Sequence, residues 1–313
     1  MKEVEIMNKE IPVFLFNGFL DSGKSTLIKE IIESEENYQN YNTLIISLEE
    51  GEVEFDSNWL KKYQVNYVYI EEDEHKEEEF FLNLVKKYNP KQIVIELNAF
   101  IDINEVKLPR NFAIYQEVTL FDATKFEVYF NNMKPMINQM VMYSSLVVFN
   151  RCSDVSNLST YRRMIRAFNQ QTEIAFEMPD GKMTTILDED LPYDINSDNI
   201  TLEDKDYPIW YLDVTECFDK YENKTINFNA FVRDAKSDTL VVGRRIMTCC
   251  EDDIQFYGFE CLTTPELEDG TYVNITCNVV KSYSSIANGF VIMLKVIEIE
   301  VIDNREEEYL EFN

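Results

Sequence analysis

One stretch of this 313-residue chain has residue types and spacing suited to holding a phosphate: Gly18 to Thr26, GFLDSGKST, fits the pattern G-x-x-x-x-G-K-[S/T]. The two glycines let a loop wrap until its backbone N–H groups converge on an anion, at the positive end of the helix that follows. Lys24 would reach the β and γ phosphates of a nucleotide, Ser25 would offer a hydroxyl to Mg²⁺, and Thr26 would lie near the α-phosphate. Asp21, Ser22 and Gly23 complete the cradle. Only 8 glycines occur in the whole chain, so two this close together answer a need of the backbone.

Such a loop needs a carboxylate at the end of a later strand to hold the metal's water shell. Glu96, in IVIELNAF, is the candidate, with Lys24 the other residue expected to act on the reacting phosphates; Asp122, ending VTLFD, is the runner-up. Two further acids, Glu52 and Asp56, could position metal or water. Base choice points to VVFNRCSD, where Asn150, Arg151 and Asp154 follow an apolar strand. A carboxylate there would take the N1 and N2 hydrogens of guanine, which favours guanine over adenine, although Asp154 stands one residue late for an Asn-Lys-x-Asp stretch. A second chemistry is offered by Cys249 and Cys250, which with Asp253, Cys261 or Cys277 could close a thiolate site for zinc or copper(I). Adjacent strand residues face opposite sides, so that site needs a strand end or a bulge. Cys152 and Cys217 read as structural.

The elements that must position these residues follow a βαβ rhythm from Ile11 to about Glu177. Apolar runs at 11–16, 42–48, 65–70, 92–97, 112–121, 145–150 and 173–177 read as strands, and Lys24 to Glu35 and Tyr161 to Phe168 as helices covering the sheet. Residues 178–206, rich in Asp and Asn with two prolines, break the rhythm and read as a linker. From Tyr207 the pattern turns to short alternating segments (IWYLDVTE, TINFNAFV, TLVVGRRIMT, TYVNITCNVV, MLKVIEIEVI), with a turn at Asp269-Gly270. The expected architecture is therefore an α/β P-loop domain with a mainly parallel sheet over 1–177, the linker 178–206, and a small all-β, barrel-like domain over 207–313.

Composition sets limits. With 45% hydrophobic and 13% aromatic residues the chain can bury a core. A net charge of −29 repels phosphate backbones and anionic lipid, so nucleic acid is not an expected partner. No apolar run approaches the ~18 residues of a membrane span, and Met1 to Glu10 lacks the apolar core of a signal peptide. The expected setting is cytoplasmic, without direct membrane insertion. A single histidine, His75, excludes most Ser/His/Asp and Cys/His catalysis. The acidic runs EEDEHKEEE (71–79) and NREEEYLEFN (304–313) read as solvated loop, helix start and terminus.

With the phosphate loop, Glu96 and Asn150 in this order, residues 11–177 resemble the CobW-type GTPases, a family associated with delivering metals to enzymes or regulating metal supply. The loop is similar to that family's GFLGSGKTT, and EGEVEFD (50–56) resembles its switch segment, with Gly51, Glu52, Val53 and Asp56 retained. Three departures stand out. Residues 67–74 (YVYIEEDE) lack the family's Cys-x-Cys-Cys, Ala99 replaces a glycine in the stretch after Glu96, and the base-reading motif has Arg151 for Lys with one extra residue. Residues 207–313 resemble the C-terminal domain of YcgQ-type proteins, which accompany a permease, through NAFVRD, RRIMTCCEDD, TYVNITCNVV and KVIEIEVID.

These resemblances imply a Mg²⁺-dependent GTPase, slow in turnover, whose nucleotide state alters a β module that docks a membrane permease or a metalloenzyme client, with Zn²⁺ as a possible cargo. A non-hydrolysing nucleotide-sensing adaptor and a P-loop ATPase or kinase remain the alternatives.

Overall fold

A computed structural model describes residues 10–34, 41–49, 55–70, 72–153, 155–185, 191–236, 239–248, 250–262, 267–284, 287–303 and 308–311. The chain divides into two compact units, Met1–Leu187 and Asp188–Asn313.

The first unit is built on β1 (Ile11–Gly18), α1 (Lys24–Ser34), β2 (Thr43–Ser47), α2 (Ser57–Lys62), β3 (Val65–Tyr69), α3 (Glu78–Tyr88), β4 (Gln92–Glu96), β5 (Phe112–Asp122), α4 (Ala123–Val141), β6 (Leu146–Asn150), α5 (Leu158–Phe168), β7 (Glu173–Glu177) and β8 (Met183–Thr184). Its sheet has the order β3-β2-β4-β1-β5-β6-β7-β8, with β8 alone antiparallel to its neighbour. Every residue of β2 and β4 is buried, which is why they read as unbroken apolar runs. Ile28 and Ile32 of α1, one turn apart, lie against Ile45, Val94 and Val148 of the sheet. The acidic run around residue 78 places Glu78 and Glu79 in the first turn of α3, where they complement the helix dipole.

The residues read as a linker are shared between the units: β8 pairs with β7, whereas β9 (Asn199–Thr201) joins the second sheet beside β10 (Thr225–Lys236). The second unit continues with β11 (Thr239–Met247), β12 (Gln255–Cys261), β13 (Tyr272–Ser284), β14 (Gly289–Val301) and β15 (Tyr309–Glu311). Strand β10 pairs with both β11 and β13, β11 with β12, β12 in parallel with β14, and β14 with β13. That circuit closes a five-stranded barrel of OB-fold topology, with β9 and β15 added at the sides. Ile226, Phe228 and Ala230 of β10 alternate into its core beside Ile275, Cys277 and Leu294.

One expected strand is a helix. Residues Tyr207–Glu216, which contain IWYLDVTE, form α6, with Pro208 in its first turn. Seven of its residues are buried, so its apolar positions surround the axis and give no helical stripe to read in the sequence. Trp210 packs on Phe228 and Phe259 with ring centroids at 5.0 and 5.5 Å.

Candidate nucleotide site

β1 is the central strand, flanked by β4 and β5, so the loop that leaves its C-terminal end has Glu96 on one side and Asp122 on the other. Residues 19–23 turn the chain sharply into α1. Gly18 (φ +147°) and Gly23 (φ +98°) lie in backbone regions that favour glycine. A Cβ on Gly18 would stand 2.5 Å from the Leu120 carbonyl oxygen, and one on Gly23 would stand 2.6 Å from Asn150 Nδ2. Asp21 fills the position where the CobW-type loop has glycine and adopts φ +60°, a region that Asp enters more readily than most residues.

The loop is anchored from below. Asn17 Oδ1 accepts the Gly18 N–H at 2.8 Å, Asn150 Nδ2 donates to the Ser22 carbonyl at 2.6 Å, and Arg151 Nη1 donates to the Asp21 carbonyl at 3.0 Å. Asn150 and Arg151 thus touch the loop at consecutive residues.

Lys24 is 2% exposed. Its ammonium donates to the carbonyls of Gly18 and Phe19, both at 2.9 Å, and pairs with Glu49 Oε1 at 2.6 Å. Beside it Ser25 Oγ donates to Glu96 Oε1 at 2.5 Å, and Ser47 Oγ lies 3.1 Å from Glu96 Oε2. Burial lifts the Glu49 carboxyl above its ordinary pKa against the pull of Lys24, and Glu96 and Asp21 add to the lift. The loop's one buried ammonium is paired with Glu49, and a second buried carboxylate, Glu96, stands at Ser25, so an entering triphosphate meets excess negative charge unless a divalent cation accompanies it. The oxygen donors Ser25 and Glu96 suit Mg²⁺, a hard cation. Glu49 Oε2, Ser22 Oγ and Asn150 Oδ1 are buried with no hydrogen-bond partner among the described residues, leaving unmet capacity on three sides of the loop.

Asp122, the runner-up to Glu96, has another task. It caps α4 by accepting the Thr124 N–H at 3.0 Å and pairs with Arg151 Nη1 at 2.6 Å. Burial opposes its ionisation, but the hydrogen bonds from Thr124 and Arg151 outweigh that and hold its carboxyl below the ordinary value. Asp56 caps α2, its Oδ1 accepting from Asn58 N and Trp59 N. Thr26 is exposed and lines a cavity of about 220 Å³ next to the loop, shared with Gly23, Leu27, Asn150, Arg151 and Glu177.

Three expected residues, Glu52, Asp154 and Cys249, lie outside the described residues. Cys250 and Asp253 brace a short turn: the Cys250 side chain accepts the Asp253 N–H, and Asp253 accepts from Thr248 N at 3.1 Å. Cys261 and Cys277 are core residues, and burial pushes the Cys261 thiol up to about 12 and Cys277 in the same direction. Among the described residues no group of three His, Cys, Asp or Glu side chains could hold a metal. Among the same residues no helix is long and apolar enough to cross a membrane.

Sequence reasoning singled out neither Glu49 nor Ser47. Their place at a strand end was readable, since Ser47 ends the apolar run TLIIS and Glu49 follows two residues later, but their partners depend on β2 lying beside β4, where Ser47 is level with Glu96.

Comparison with known proteins bears on both units. Residues 178–310 match the DUF1980 C-terminal domain. No curated protein matches the chain significantly. Among solved structures, the hydrogenase maturation factor HypB from Archaeoglobus fulgidus is similar at 14% identity and TM-score 0.42, covering 57% of this chain and 87% of that one. Zn(II)-bound YjiA GTPase from E. coli is similar at 14% identity and TM-score 0.42, over 92% of this chain and 89% of its own. HypB from Helicobacter pylori in complex with nickel is similar at 14% identity and TM-score 0.40, over 56% and 82%. TM-scores this low carry no weight by themselves. Residues 12–176, more than half of the chain, match the CobW/HypB/UreG nucleotide-binding domain, and the chain belongs to that family.

Proposed function

We propose that this protein binds GTP with Mg²⁺ at the Gly18–Thr26 loop and hydrolyses it slowly, and that the bound nucleotide sets the state of the C-terminal barrel toward a protein client. The observation that carries the reading is the buried Lys24, held by two loop carbonyls with Glu49 at its remaining side. In this arrangement Glu49 occupies the place a phosphate oxygen would take. Ser25 and Glu96 would hold Mg²⁺, which when bound offsets the charge of the triphosphate. Lys24, released from Glu49, would stabilise charge on the β and γ phosphates, and the loop N–H groups would act as fixed dipoles. Asn150 and Arg151 would border the base.

The client is a metalloenzyme that receives a metal or a membrane permease, in keeping with the family and with the second domain; Zn²⁺ is the first ion to try as cargo, by equilibrium dialysis with a Cys249→Ser, Cys250→Ser control. A second reading, a sensor that binds without turnover, is favoured by one observation: Ala99, buried in the place of a flexible glycine after Glu96.

Phosphate release with GTP and Mg²⁺ separates the readings. Release that disappears in Lys24→Ala is the expected result. Tight GTP binding without release makes the protein a sensor, and release unaffected by Lys24→Ala overturns the proposal.

A further inference from the structure

The cavity beside the loop has Asn150 in one wall with its Oδ1 buried and unpaired, aliphatic side chains from Leu27, Leu120 and Val148, and two carboxylates: Glu30, exposed on α1, and Glu177, half-buried at the end of β7 beside the Asn150 strand. The strand carrying Glu177 is the immediate neighbour of the one carrying Asn150, and Glu177 Oε2 lies 3.4 Å from the Arg151 backbone nitrogen. Its cation, Arg151, is already bound to Asp122 and the Asp21 carbonyl, so the cavity does not favour another phosphate. Aliphatic walls with acceptors and a carboxylate suit a flat heterocycle that presents N–H donors. In the Asn150 stretch, the position three residues on, where a base-reading Asp would stand, is Ser153.

We infer that Glu177 is the specificity-determining carboxylate for the base: its two oxygens accept the N1–H and N2–H of guanine, taking the part that Ser153 cannot. The inference deepens the GTP-binding reading above and rests on it. A carboxylate complements the paired donors of guanine, whereas an amide in its place offers one acceptor and one donor. The donor faces xanthine O2 favourably and a guanine N–H unfavourably.

The test is competition binding of GTP, XTP and ATP, with Mg²⁺, to the full chain and to Glu177→Gln, Asp154→Asn and Lys24→Ala. Inorganic triphosphate serves as the probe for the loop alone. For Glu177→Gln the expected result is GTP weakened by about 10- to 100-fold and XTP strengthened, with triphosphate binding unchanged. If Glu177→Gln keeps the wild-type preference, or Asp154→Asn alone shifts it toward XTP, the assignment of Glu177 is overturned while GTP binding stands. If the wild-type chain binds GTP no better than Lys24→Ala does, the GTP reading falls and takes this inference with it. Should Glu177→Gln fail to fold, Glu177→Ala carries the same comparison, and loss of GTP preference over ATP is the expected outcome.

Discussion

The phosphate-loop unit and the barrel unit both bury charge, and they do so in different ways. Around the loop, Glu49, Asn150 and Ser22 keep buried polar atoms without partners, all within one short arc of chain contacts to Lys24 or the loop backbone. In the barrel, buried charges are tied to the fold itself. Asp213 accepts from Tyr221 at 2.5 Å and from Lys220 at 3.2 Å, and Arg244, 1% exposed, pairs with Asp204 at 2.8 Å. Three buried polar atoms of this unit also lack a partner among the described residues, Arg244 Nε, Trp210 Nε1 and Tyr272 Oη, but they lie within aromatic packing: the Arg244 guanidinium is 5.8 Å from the rings of both Phe231 and Tyr272, and Trp210 packs on Phe228 and Phe259. Unmet capacity gathered at a loop prepares a site for a ligand, whereas charge matched within aromatic packing specifies a core.

The largest effect that could break this contrast is in the barrel. Arg244→Ala removes a buried side chain whose partner, Asp204, is partly exposed, and is expected to destabilise that unit by about 3 kcal/mol, mostly through lost packing, whereas Arg244→Met, which keeps the packing, loses less. Urea unfolding followed by Trp210 fluorescence reads both variants. A harmless Arg244→Ala would mean that the buried charge is not structural.

The first unit supplies a sharper case in Glu117, buried mid-strand in β5, whose carboxyl burial alone raises to about 7. A folded-state value above the ordinary 4.5 means that the native chain binds more protons than the unfolded one between those values. Stability therefore falls as pH rises through that window, and the penalty is complete above it. Glu117→Gln is expected to be more stable than the wild type by about 2 kcal/mol at pH 8 and nearly equal to it at pH 4. Equal curves at both pH values would show that Glu117 is stabilised by more than its burial suggests.

The smallest effect addresses Glu49 as stand-in for a phosphate. Glu49→Gln keeps the shape but weakens the hold on Lys24, so GTP should bind about 10-fold more tightly. Weaker binding would make Glu49 a ligand of the nucleotide or its metal instead of a competitor.

Much of the first unit was legible because its parallel strands are mostly short, self-contained apolar runs and because the phosphate loop needs glycines in a chain that has few. Glu96 stands at the strand end where a carboxylate is expected, and there it meets Ser25. What could not be read there was the pairing of Lys24 with Glu49, since it depends on β2 ending beside β4, two strands distant in sequence. In the second unit, β10, β11, β13 and β14 are visible as alternation, whereas β12 (QFYGFEC) is not among those segments, and the closure rests on its parallel pairing with β14, a non-local fact. Helix α6 reads as a strand in the sequence because a helix buried all round has no stripe. Nothing in the pair Arg244-Arg245 shows that the first of them is buried, since arginines are ordinarily solvated.

The most direct test of the central claim is calorimetric titration of the full chain with GTP and with ATP, each with and without Mg²⁺, beside Lys24→Ala. The account predicts one site per chain, Mg²⁺-dependent, with GTP preferred over ATP and no measurable binding by the variant. Absence of heat with the wild type, or equal binding by Lys24→Ala, would contradict it.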